Sequence, residues 1–154
     1  MNTRRTGLVV GFSVLLALLP SAVLAQSLVG IQANIVVNAG LTAYLSPLGQ
    51  AKIVGASSLL SNTETAVQVP FGYAATAKNL VIWLKQTTPA SGAVSLTLRI
   101  NGGDTALAVV FPPSTPSGVY GDTVNTVAIN QGDLVSFRLT NASSGQAFFG
   151  GISF

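Results

Sequence analysis

The sequence predicts an all-β protein, a two-sheet antiparallel sandwich of about ten short strands. Three observations carry that expectation. Val, Thr, Ile and Phe dominate the apolar runs while Glu and Lys are scarce, which suits a pleated sheet better than a helix. Apolar and polar residues alternate with a period of two in several segments, and nothing after residue 25 shows a helical period. Turn signals rich in Gly, Pro, Asn and Asp divide the chain at intervals of about 8–15 residues, the spacing of a sandwich.

Residues 1–25 stand apart from the fold. Arg4 and Arg5 form a positive start, Leu8 to Leu19 is apolar except for Gly11 and Ser13, and Pro20-Ser21-Ala22 breaks the run. Val23-Leu24-Ala25 then fits a cut before Gln26, completing a secretory signal peptide. The run falls short of a full membrane span. The expectation is therefore a leader cleaved after Ala25 and one mature domain, 26–154, without a span, secreted or held at the cell surface.

The first alternation of the mature chain sets Val29, Ile31, Ala33, Ile35 and Val37 against Gly30, Gln32, Asn34 and Val36. This strand offers itself either to its own sheet or to a neighbouring subunit. Later, Leu80, Ile82 and Leu84 share one face, with Val81, Trp83 and Lys85 on the other. Val94, Leu96, Leu98 and Ile100 alternate with Ser95, Thr97 and Arg99, a half-buried strand. Asn101-Gly102 supplies two residues that tolerate positive φ, as a tight hairpin needs. In Ala106 to Phe111 both parities are apolar: Leu107, Val109 and Phe111 against Ala106, Ala108 and Val110. The three prolines within 112–118 mark a connection between sheets. Val135, Phe137 and Leu139 close the series, alternating with Leu134, Ser136 and Arg138.

A sandwich strand has one inner face, so the second apolar faces at 80–85 and 106–111 need a covering loop, a subunit or a ligand. Trp83, Val81, Leu107, Val109 and Phe111 are the candidate interface residues. Tyr44, Tyr73, Trp83 and Tyr120 are the aromatic candidates for stacking on a surface glycan.

Charge and composition exclude more than they assign. The 154 residues contain no His and no Cys, which removes imidazole acid–base chemistry, thiol nucleophiles, disulfides and His/Cys zinc sites. Without Arg4 and Arg5 the chain keeps five cations, Lys52, Lys78, Lys85, Arg99 and Arg138, against four acids, Glu64, Asp104, Asp122 and Asp133. A net charge of about +1 so dispersed gives nucleic acid no electrostatic footprint. Asp104, Asp122 and Asp133 each follow a Gly, with Asn101 and Asn130 nearby. Their oxygens suit calcium, but no loop supplies a dense ligand set, and bracing of turns is expected instead. Four acids, three of them in turn contexts, predict neither an enzyme nor a cofactor or metal site. Asn141-Ala142-Ser143 is a glycosylation sequon by pattern.

The C-terminal half carries three further motifs: Arg99-Ile100-Asn101-Gly102, the stretch Val127 to Leu139 around Gly132-Asp133, and Ala147-Phe148-Phe149-Gly150-Gly151-Ile152-Ser153-Phe154. From about Val94 to Phe154 the chain resembles the globular head of complement component q and the tumour-necrosis-factor-like proteins, especially bacterial and phage relatives. The resemblance implies a jelly-roll topology of ten strands, a trimer around an apolar axis, and binding or structure rather than catalysis. The expectation is thus a self-associating module of a cell-surface layer, appendage or phage-like assembly. The alternative is a carbohydrate-binding module that uses its exposed aromatics.

Overall fold

Alternation translates directly into strands. The computed structural model describes residues 32–47 and 60–154. The expected leader, and residues 29–31 of the first alternation, lie outside the described residues. In order the strands are β1 (Gln32–Val37), β2 (Thr42–Leu45), β3 (Val69–Pro70), β4 (Ala75–Leu84), β5 (Val94–Ile100), β6 (Gly103–Phe111), β7 (Gly118–Ile129), β8 (Leu134–Asn141) and β9 (Ala147–Ser153). Among the described residues of the β2–β3 connection lies a 3-10 turn, Glu64–Ala66.

Two sheets result. The first runs β1-β9-β4-β7 and the second β2-β8-β5-β6, with β3 also pairing with β8. All pairings between these strands are antiparallel. The chain changes sheet repeatedly, and β5–β6 is a hairpin of sequence neighbours within one sheet. With β2 and β3 sharing one position beside β8, this is jelly-roll strand order. The Asn101-Gly102 hairpin forms as its residues demand, with φ of 52° and 78° at the two central positions.

Inward residues match the alternation. Val94, Leu96 and Leu98 of β5 meet Val135, Phe137 and Leu139 of β8 across the second sheet, all buried. From the first sheet Leu80, Ile82 and Leu84 of β4, Ile35 and Val37 of β1, and Phe149 and Ile152 of β9 complete the same core. Phe111 sits among rings, 5.6 Å from Phe149 and 5.4 Å edge-on from Tyr120. Burying a side chain of this size contributes about 1.5–3 kcal/mol.

Two expectations change here and one alternative is resolved. Leu107, Val109 and Phe111 are core residues, not an interface: β6 pairs Val109 with Leu96 and Phe111 with Val94, which turns that parity inward. The partner of residues 32–37 is the chain's own β9, with Val36 opposite Phe148. Gly121-Asp122 is not a turn but lies within β7. There, Asn79 (φ 56°) on β4 faces Thr123–Asn125, three residues that bulge out between the Leu80–Asp122 and Lys78–Thr126 pairs.

Candidate functional site

The outward parity of β4 builds the first candidate surface. Leu80, Ile82 and Leu84 point inward, so Val81 and Trp83 project from the opposite face of the first sheet. Across β7, Trp83 stands opposite Val119 and Val81 opposite Gly121. On the β9 side the indole lies directly on Gly150: a Cβ there would fall 2.1 Å from Trp83 Cε3. Glycine in this strand thus makes room for a flat aromatic ring whose residue remains 50% exposed. Lys85 Nζ stands 5.5 Å from the ring centroid. Next to it opens a groove lined by Val36, Lys85, Gln86 and Phe148, floored by Ile35 and Phe149.

The β6–β7 edge is the second. Here Val110 and Val124 are 61% and 86% exposed, while Val119, 70% exposed, stands beside Trp83 on the outer face of the first sheet. Val110 and Val124 line an open groove together with Ala108, Tyr120 and Asp122. Asp122 bridges the two sheets at this edge. One carboxylate oxygen accepts from the Ala108 N–H at 3.1 Å and Asn125 Nδ2 at 2.8 Å. The other accepts from the N–H groups of Val124 and Asn125 at 3.1 and 3.0 Å. Donation from Asn125, backbone and side chain, chiefly holds the carboxyl down at about 2, with the Ala108 and Val124 N–H groups adding to it against burial. The carboxylate satisfies an outward N–H of β6 and braces the bulge, which blunts this edge against strand addition.

Around Arg99 the outward face of the second sheet is polar and covered. Glu64 Oε1 accepts from Arg99 Nε and Ser136 Oγ, both at 2.8 Å. Arg99 also reaches Asp104 and the Gly102 carbonyl, and Arg138 pairs with Asp104. The Tyr44 ring lies 5.8 Å from the Arg99 guanidinium. Burial pushes the Glu64 carboxyl up, but hydrogen bonds from Arg99 and Ser136 and the two arginine charges outweigh it, leaving it below its ordinary value.

At one end, the turns are knitted together. Asn101 Nδ2 donates to Asp133 Oδ1 and Asn101 Oδ1 accepts from the Leu134 N–H, both at 2.8 Å. The Asn130 N–H donates to Asp133 Oδ2 at 2.7 Å. That backbone bond first, and Asn101 second, lower the Asp133 carboxyl. Asp133 and Asp122 therefore spend their oxygens on N–H donors, and Asp104 on arginines. Among the described residues no three acids gather as metal ligands. Asp104 opens β6 while Asp122 stands level with Ala108, four residues or roughly 13 Å along the strand. The sequon residue Asn141 is fully buried. Its Nδ2 donates to the Val37 and Gly145 carbonyls at 2.9 and 2.8 Å, and its Oδ1 accepts from the Ser143 N–H at 3.0 Å.

The four aromatic candidates do not meet. Tyr44 belongs to the arginine network. Tyr120 packs on Phe111 and donates its hydroxyl to the Pro116 carbonyl at 2.9 Å. Tyr73 is exposed but rests 5.2 Å from Phe71 before β4 begins, ten residues from Trp83. Trp83 and Tyr73 are the two exposed rings, and of these Trp83 is the one set on a sheet face. Sequence reasoning missed Val124 at the edge, Val119 beside Trp83 and the Gly150 seat, because strand order decides which residues become neighbours. The one local signal was an uncharged, valine-bearing stretch around Asp122.

No family model matches the chain, and no curated protein matches it. Among solved structures it is similar to the GH26-CBM35 beta-(1,4)-mannanase of Podospora anserina, with a TM-score of 0.39 and 17% identity. That match covers 81% of this chain and 26% of the mannanase, so the chain spans about a quarter of that protein's length.

Proposed function

We propose that the mature chain is a non-enzymatic structural and interaction module that associates with copies of itself through the β6–β7 edge. The observation that carries this reading is the exposure of Val110 and Val124 along one groove there. Two valines open to water along the groove between β6 and β7 are an apolar strip that a second copy removes from solvent. Asp122 occupies an outward N–H of β6, so the strip favours side-chain packing over open-ended sheet extension. One strip per chain, repeated about an axis, closes a ring.

The finer assignments belong to the same reading. Jelly-roll strand order supports a place beside the complement-q and tumour-necrosis-factor-like heads, and with it a trimer. The leader at 1–25 directs the chain out of the cytoplasm, to serve in a cell-surface or appendage layer. Among the described residues no helix is long and apolar enough to cross a membrane.

Light scattering on residues 26–154 at micromolar concentration, beside a Val110→Asp/Val124→Asp variant, tests the proposal. The expected result is a defined oligomer that the double variant reduces to single chains while keeping its far-UV circular dichroism. An oligomer unmoved by both aspartates would place the contact elsewhere.

A further inference from the structure

The face carrying Trp83 is distinct in chemistry from the valine edge. It is a flat indole seated on the Gly150 backbone, with an ammonium 5.5 Å from the ring centroid. The adjoining groove has apolar walls from Val36 and Phe148, an amide from Gln86 and a cation from Lys85. A half-exposed indole suits the apolar face of a pyranose ring, which presents C–H groups to the π surface and hydroxyls to the sides. The lysine adds a selection by charge: a sugar lying on the indole brings an exocyclic carboxylate within reach of Nζ, whereas a neutral hydroxymethyl gains no ion pair.

We propose that Trp83, Lys85 and Gln86 form a binding site for an acidic polysaccharide, with a uronic-acid ring stacked on Trp83 and its carboxylate held by Lys85. The site goes beyond self-association, since it uses the sheet face rather than the edge. It explains why the chain's one tryptophan is half exposed and seated on a glycine.

Because the chain has a single tryptophan, its emission reports on this site directly. Residues 26–154 are titrated with trigalacturonate and, separately, with cellotriose. Trigalacturonate is expected to give a saturable change in emission, with binding about tenfold weaker in Lys85→Gln and about tenfold weaker for cellotriose, as for one charge-assisted contact. The Val110→Asp/Val124→Asp variant should titrate like the parent chain, which separates this site from the edge. Gly150→Val, checked for folding by circular dichroism, should displace the indole and abolish the signal. Equal binding of the neutral trisaccharide, an unaltered affinity in Lys85→Gln, or no saturable change with trigalacturonate would each overturn the proposal.

Discussion

Asp122 and Asn141 show what single polar side chains do in a molecule with so little charge. Asp122 accepts from three backbone N–H groups and one side-chain amide, and its carboxyl titrates at about 2 against an ordinary 3.8. A depressed pKa means that its contribution to stability is complete above pH 4 and is lost as pH falls toward 2. Asp122→Asn should therefore lower the unfolding temperature at pH 7 and flatten its fall between pH 4 and 2, as followed by thermal melts at stepped pH. Equal pH slopes in parent and variant would contradict this assignment. Asn141 is buried with its amide fully engaged, so Asn141→Ala should cost roughly 2–4 kcal/mol in urea unfolding, the penalty for stranding buried carbonyls. The same burial means that mass spectrometry of protein from a glycosylating host should find Asn141 unmodified. These roles were only half legible in the sequence: Asx bracing at Asn101 and Asp133 follows from the Asn-Gly and Gly-Asp steps. Asp122, read as a turn residue, instead fastens two sheets.

At the scale of elements, alternation was a reliable guide wherever one face was polar. β5 and β8 follow their sequence parity residue by residue, since Ser95, Thr97, Arg99, Ser136 and Arg138 mark the outward side. In β6 both parities are apolar, so local pattern left the inward side undecided. Pairing with β5 decided it, turning Leu107, Val109 and Phe111 to the core and leaving Val110 outside. The arginine network was invisible for another reason: Glu64 joins Arg99 and Ser136 across 35 and 72 residues of sequence. It fastens the β2–β3 connection onto the second sheet, so Glu64→Leu removes one of the two carboxylates that pair with the buried Arg99. Limited proteolysis should then cut within residues 60–68 faster than in the parent chain. An unchanged cleavage pattern would show that the ion pair does not hold the connection down. Phe149→Ala, by contrast, opens a cavity in the core and should cost about 3–5 kcal/mol in chemical unfolding.

For the whole molecule, the low charge acquires a meaning that composition alone did not give it. The described acids are engaged in holding connections, turns and edges, the second sheet's outer face carries a polar network around Arg99, and the apolar surplus falls on the β6–β7 edge and around Trp83. An edge protected against strand addition yet rich in exposed valine fits closed association of folded chains. The most direct test is the mass of the mature chain in solution, by sedimentation equilibrium across a hundredfold range of micromolar concentrations. A single species of three chain masses, dissociating toward one only at the dilute end, is the predicted result. One chain mass throughout would contradict self-association through the edge.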